Sequence, residues 1–160
     1  MMDAIVVWME EVVKTFAIAL MPVIEIRGAI PAGIAMGLHP AAAFVVSALG
    51  NLAPVPFLIL AVRHVLNFMD RHNILRPLTQ FLFTKANNHR DLIAKYGFWG
   101  LWILVAIPLP GTGAWTGALV ASVLDIRLSK SVPAILLGIV SAGAIVMLVT
   151  YGVISAASVW

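Results

Sequence analysis

The sequence contains no cysteine, which excludes a disulfide framework, a thiol redox centre, a zinc ribbon and an iron–sulfur cluster. Charge is also scarce. Asp, Glu, Lys and Arg make up 11% of the 160 residues and apolar residues 62%, against about 25% and roughly 45–50% in soluble domains. That balance argues against a soluble enzyme and for an integral membrane protein. No charge falls in 40–62, 98–124 or 131–160, and each stretch exceeds the ~18 residues of a candidate span. The N-terminus, MMDAIVVWMEEVVKTF, lacks the basic leader of a secretory signal and is expected to remain on the mature protein. The net charge of +3 does not point to nucleic acid, because a basic excess gathered in one membrane-flanking loop is what membrane topology produces. His39, His64, His72 and His89 match no metal-ligand spacing, and no nucleophile–base arrangement is visible. No enzymic activity, metal or cofactor is therefore expected.

What the chain does contain is a sequence of apolar segments with unusual interruptions. Ile5, Trp8, Met9, Val12, Val13 and Phe16 recur at helical spacing against Glu10, Glu11 and Lys14, which predicts an interfacial amphipathic helix over 3–15. Residues 15–24 are uncharged and span about 15 Å as helix, half of a hydrocarbon core roughly 30 Å thick. Glu25, Arg27, Gly28, Pro31, Gly33 and Gly37 follow. Prolines and glycines in an apolar run are expected to interrupt regular helix, so 15–38 reads as a re-entrant hairpin. The alternative is a full helix over 4–24 with 25–39 as an interfacial loop. A span over 40–62 comes next, kinked near Gly50, Asn51, Pro54 and Pro56. The basic connector 63–97 belongs on the cytoplasmic side, and its apolar positions suggest helices resting on the bilayer.

The second half repeats this layout, with a hairpin over 98–124, the polar step Asp125, Arg127 and Lys130, and a span over 132–154. A shift of 85 positions lays Gly28-Ala29 on Gly113-Ala114. One membrane domain, 1–160, thus divides into repeat one (1–62), the connector, and repeat two (98–160). One returning hairpin and one crossing helix in each half make the repeat inverted, with two discontinuous elements meeting at the midplane, an arrangement known in secondary transporters. Both termini are expected outside. Trp8, Trp99, Trp102 and Trp160 sit near predicted boundaries as anchors.

Charges inside a bilayer are costly and normally mark a cavity, an ion pair or a substrate path. Arg27 suits an anionic head group, since its planar fork binds phosphate oxygens in pairs. Glu25, removed from water, suits proton uptake and release near neutral pH. Half-helix N-termini would add free N–H groups and positive dipole ends. PLPGTGAWTG (108–117) offers Thr112, Thr116, the Trp115 indole and exposed backbone, either as a cradle for phosphate or as a tight turn. Asn51 suits an interhelical hydrogen bond.

Two motifs carry a family resemblance over nearly the whole chain. Glu25-Ile26-Arg27-Gly28-Ala29-Ile30-Pro31 and the run from Pro108 to Gly117 resemble the small multi-drug export protein family, a distant branch of the DedA/VTT superfamily. The resemblance implies an all-α integral membrane transporter with two re-entrant hairpins in inverted orientation. For the wider superfamily it implies lipid traffic, including proton-linked movement of polyprenyl phosphates. Bacterial DedA proteins carry arginines in their second motif, whereas this chain has Gly111, Thr112 and Gly113. Candidate substrate contacts are Arg27, Gly28, Pro31, Pro108, Pro110, Gly111, Thr112, Gly113, Trp115 and Thr116, with Glu25 for proton coupling. The expected function is proton-coupled movement of an anionic lipid in a prokaryotic plasma membrane, by a homodimer. The alternatives are export of hydrophobic cations, in which Glu25 is the counter-ion, and a non-transporting membrane scaffold.

Overall fold

The computed structural model describes residues 2–72, 84, 95–109 and 111–157. Among these there is no strand. The helices are α1 (Met2–Leu20), α2 (Glu25–Ala35), α3 (Pro40–Leu52), α4 (Pro54–His72), α5 (Phe98–Ala106), α6 (Ala114–Val123) and α7 (Leu128–Ala157). Two stretches, Pro40–Leu66 and Leu128–Gly152, are long and apolar enough to cross a membrane. By Cα proximity the chain forms two compact units, Met1–Ala53 with Ile139–Trp160, and Pro54–Gly138.

In the first unit α2 runs back along α1, and α3 turns to run beside both. Small residues make the close approach possible. A Cβ added to Gly33 would lie 2.9 Å from Thr15 Oγ1 and 3.1 Å from Ala43 Cβ, and one added to Gly37 would lie 3.2 Å from Glu11 Oε1. Chain that leaves the level of Glu11 therefore comes back to it at Gly37. Nine residues of helix, about 14 Å, separate that level from the end of α1. Ala19, Ile26, Ala29, Ile30, Leu38 and Ala43 form the buried interior.

The second unit uses the same local devices. Its α6 runs back along α5, where an added Cβ on Gly117 would lie 2.6 Å from Val105 Cγ2. Leu101, Leu104, Val105, Ala118, Ala121 and Ile135 are buried, as are Val55 and Ile59 of α4. The Ser122 hydroxyl, on α6, lies 2.6 Å from the Ala118 carbonyl oxygen and 3.3 Å from that of Ile59 on α4.

Helix ends and glycine contacts align the two layouts residue by residue. Both α2 and α6 finish in Schellman motifs. Leu38 N–H donates to the Gly33 carbonyl and Gly37 N–H to that of Ile34; Ile126 N–H donates to Ala121 and Asp125 N–H to Ser122. The left-handed residue is Gly37 (φ 108°) in one and Asp125 (φ 50°) in the other. Farther on, an added Cβ on Gly50 would lie 2.8 Å from both Ala19 Cβ and the Phe16 carbonyl oxygen. The equivalent Cβ on Gly138 would lie 2.5 Å from Val105 Cβ and 3.1 Å from the Trp102 carbonyl oxygen. A shift of 88 positions lays Gly37 on Asp125, Leu38 on Ile126 and Gly50 on Gly138. The expected shift of 85 is thus corrected to 88, because helix ends and helix contacts, not the Gly-Ala pairs, are what correspond.

Other expectations also change. The interfacial helix 3–15 and the first hairpin arm are one continuous helix, since nothing at Thr15 breaks α1; its hydroxyl donates to the Glu11 carbonyl at 2.8 Å within the same helix. The chain turns at Met21–Ile24, before Glu25, and α2 then passes through Gly28, Pro31 and Gly33. An interfacial loop over 25–39 is therefore contradicted. At the kink expected in the first span, the one residue between α3 and α4 is Ala53, which keeps helical angles (φ −52°, ψ −44°). Helix continues from there to His72, so residues 63–72 of the expected connector are helical. Most of 73–94, with Trp160, lies outside the described residues. The last helix covers 128–157 rather than 132–154.

Candidate functional site

The turn between α1 and α2 is apolar and exposed, which is unusual for a turn facing water. Met21 is 48% and Val23 88% exposed. The α5–α6 turn behaves alike, with Ile107 and Leu109 exposed. Immediately after the first turn comes Glu25, at φ 50° and 3% exposed. A buried acid in the left-handed region is doubly costly, and such strain is concentrated at functional sites. Arg27, two residues on, is half-buried in the first turn of α2.

No side chain caps the N-terminus of either α2 or α6. Glu25 N–H donates to the Met21 carbonyl at 3.0 Å, and each helix turns the positive end of its dipole toward its own turn. Gly113, at φ 119°, precedes α6 at the position that the 88-residue shift pairs with Glu25. The two turns thus share a left-handed residue at the start of the returning helix, but only the first puts an acid there.

The polar groups of the second turn are largely engaged within it. Thr112 Oγ1 lies 2.7 Å from the Ile107 and 2.8 Å from the Leu109 carbonyl oxygen, within reach of either as donor, and 3.2 Å from the Leu109 N–H that it accepts from. Thr116 donates to the Gly111 carbonyl at 3.0 Å. Gly113 is buried, Pro108 and Trp115 are half-buried, and Gly111 is exposed at φ 87°. Pro110 lies outside the described residues. Gly28 and Pro31 are half-buried on α2 with Arg27. Gly28 leaves room for Ile24, whose Cγ2 would lie 2.2 Å from an added Cβ.

Several polar residues have roles that were not visible in the sequence. Arg63, on α4, donates to the Ile126 carbonyl oxygen and lies 3.6 Å from Asp125 Oδ1, so it clasps the α6–α7 link rather than simply facing cytoplasm. Its charge had suggested only topology. Ser47 and Asn51 are buried on α3, and Asn51 Oδ1 lacks the interhelical hydrogen bond expected of it. His39 and His64 are exposed, and His39 Nδ1 accepts from Ala41 N–H at the start of α3. At the opposite end of the first hairpin, Lys14 pairs with Glu10 at 2.6 Å and holds that exposed carboxyl below its ordinary pKa.

A family model described as "Putative small multi-drug export protein" matches residues 25–145. The match opens on Glu25 and includes both turns' returning helices. No curated protein and no solved structure matches the chain.

Proposed function

Because the chain belongs to the small multi-drug export protein family and has two helical stretches able to cross a bilayer, its place is the membrane, and we propose that it works there as a small secondary transporter of amphiphiles. The α1–α2 and α5–α6 pairs each dip about half-way into the bilayer and return. Exposed Met21, Val23, Ile24, Ile107 and Leu109 at their tips support this, since such side chains are at home in lipid. Arms of 9–11 residues in α2, α5 and α6, about 14–17 Å long, are too short to cross ~30 Å. One crossing separates the two hairpins along the chain, which makes the repeat an inverted one.

Arg27 in the first turn of the uncapped α2 carries the substrate assignment. A guanidinium at the positive end of a helix dipole suits an anionic head group, above all a phosphate. Glu25, buried beside it in sequence, takes up and releases the coupling proton. A second possibility is export of hydrophobic cations, favoured by the family description and by the burial of Glu25 relative to Arg27. Here Glu25 is the counter-ion.

Reconstituted vesicles separate the two. Arg27→Ala should reduce lipid-phosphate movement at least tenfold if Arg27 holds the head group, whereas cation export would survive or improve. In the same vesicles Glu25→Gln should keep ligand binding and flatten the pH dependence of flux. An unchanged pH profile would remove Glu25 from the coupling role.

A further inference from the structure

Ser47 and Asn51 are 0% and 1% exposed on α3, four residues apart on one helix face. Ser47 Oγ and Asn51 Oδ1 have no hydrogen-bond partner. Buried polar atoms are nearly always satisfied, and an exception calls for a reason. The fold itself does not require polar residues here. The 88-residue shift lays Ser47 on Ile135 and Asn51 on Ile139 of α7, both fully buried, so α7 fills the corresponding positions with plain hydrocarbon.

More acceptors lie at this end of α3. Pro54 and Pro56 have no N–H, so the carbonyls of Gly50 and Leu52 lose the donors that a continuous helix would supply. Ala53 is itself helical (φ −52°, ψ −44°) and its N–H donates to the Leu49 carbonyl, so these two carbonyls lack donors although the chain does not unwind. Counting from the contact between Gly33 and Ala43, eight residues back along α2 reach Glu25 and eight forward along α3 reach Asn51. Each path is about 12 Å of helix, so the buried carboxyl and the amide oxygen stand at about the same height in the unit.

An array of oxygen acceptors with one carboxylate at its level calls for a cation. Neutral hydroxyl, amide and carbonyl oxygens are hard ligands, and with the one carboxylate of Glu25 at their height they suit one positive charge better than two. Backbone carbonyls freed of their helix donors serve this purpose in secondary transporters. We infer that the Ser47–Asn51 end of α3 binds a small monovalent metal cation, sodium in size. The transporter would then couple to sodium through α3, in addition to any proton carried by Glu25.

Melting of the purified full chain in lipid nanodiscs tests this without any transport step. At pH 8 and constant ionic strength, replacing choline chloride by sodium chloride should raise the midpoint in a saturable way. Asn51→Leu and Ser47→Ala should weaken the apparent sodium affinity at least tenfold, with midpoints in choline equal to or above that of the wild type. Asn51→Asp should tighten it. If Asn51→Leu does not fold, Ser47→Ala and Asn51→Asp decide. Identical melting of the wild type in both salts, or sodium shifts that persist unchanged in the variants, would overturn the site and leave these oxygens to ordered water. Because flux is not measured, failure here leaves the Arg27 assignment standing, and failure of the Arg27→Ala flux test leaves the sodium site standing.

Discussion

At the scale of single residues, the chain depends on places where a side chain does not fit. Gly50 faces the Phe16 carbonyl, which is backbone and cannot swing away. Gly50→Ala should therefore cost about 1–3 kcal/mol, the usual penalty for overpacking, seen as a lower melting midpoint. Gly152 has nothing within 4 Å of an added Cβ, so Gly152→Ala should be neutral or stabilising by up to about 1 kcal/mol. A similar loss in both would contradict the contact assignment. Glu25 and Arg27 were legible because charge is conspicuous in an apolar run. Ser47 was not, since serine is unremarkable in a membrane helix and only its burial without a partner sets it apart. Thr112 and Thr116 looked available in the sequence, but the turn uses their hydroxyls itself.

Among elements, the links at helix ends determine how each unit is assembled. The α6–α7 link holds Asp125 at φ 50°, a conformation that costs an L-residue up to about 1–2 kcal/mol, less for Asp. Its ion pair with Arg63 is worth no more than about 1 kcal/mol, because Asp125 is 88% exposed. Relief of strain should win, so Asp125→Gly is expected to raise stability by up to about 1 kcal/mol. A melting midpoint several degrees lower would show that the ion pair outweighs the strain. Arg63→Ala should be the more damaging change, by about 1–3 kcal/mol, because it strips a part-buried carbonyl of a charged donor. The helices Phe98–Ala106 and Ala114–Val123 fall within the uncharged stretch 98–124. Placement of the first break was not readable in the sequence. The sequence pattern favours the Pro- and Gly-rich stretch after Glu25, but Pro31 and Gly28 are tolerated inside α2, and Met21–Ile24 turns instead. Likewise Asp125 and Gly37 perform the same job with unlike side chains, which hides the 88-residue correspondence from any comparison of letters.

For the whole molecule, composition alone identifies the membrane as solvent, and the two crossing stretches follow from it. The depth of the hairpins is the claim on which transport rests, and the absence of cysteine makes it directly measurable. Single cysteines at Glu10, Val23 and His39 can be tested with a membrane-impermeant maleimide added to either side of sealed vesicles. Half-depth insertion predicts that positions 10 and 39 label from one and the same side. It also predicts that position 23, 88% exposed in the isolated chain, is protected from both sides. Labelling of positions 10 and 39 from opposite sides, or rapid labelling of position 23 in bulk water, would contradict it.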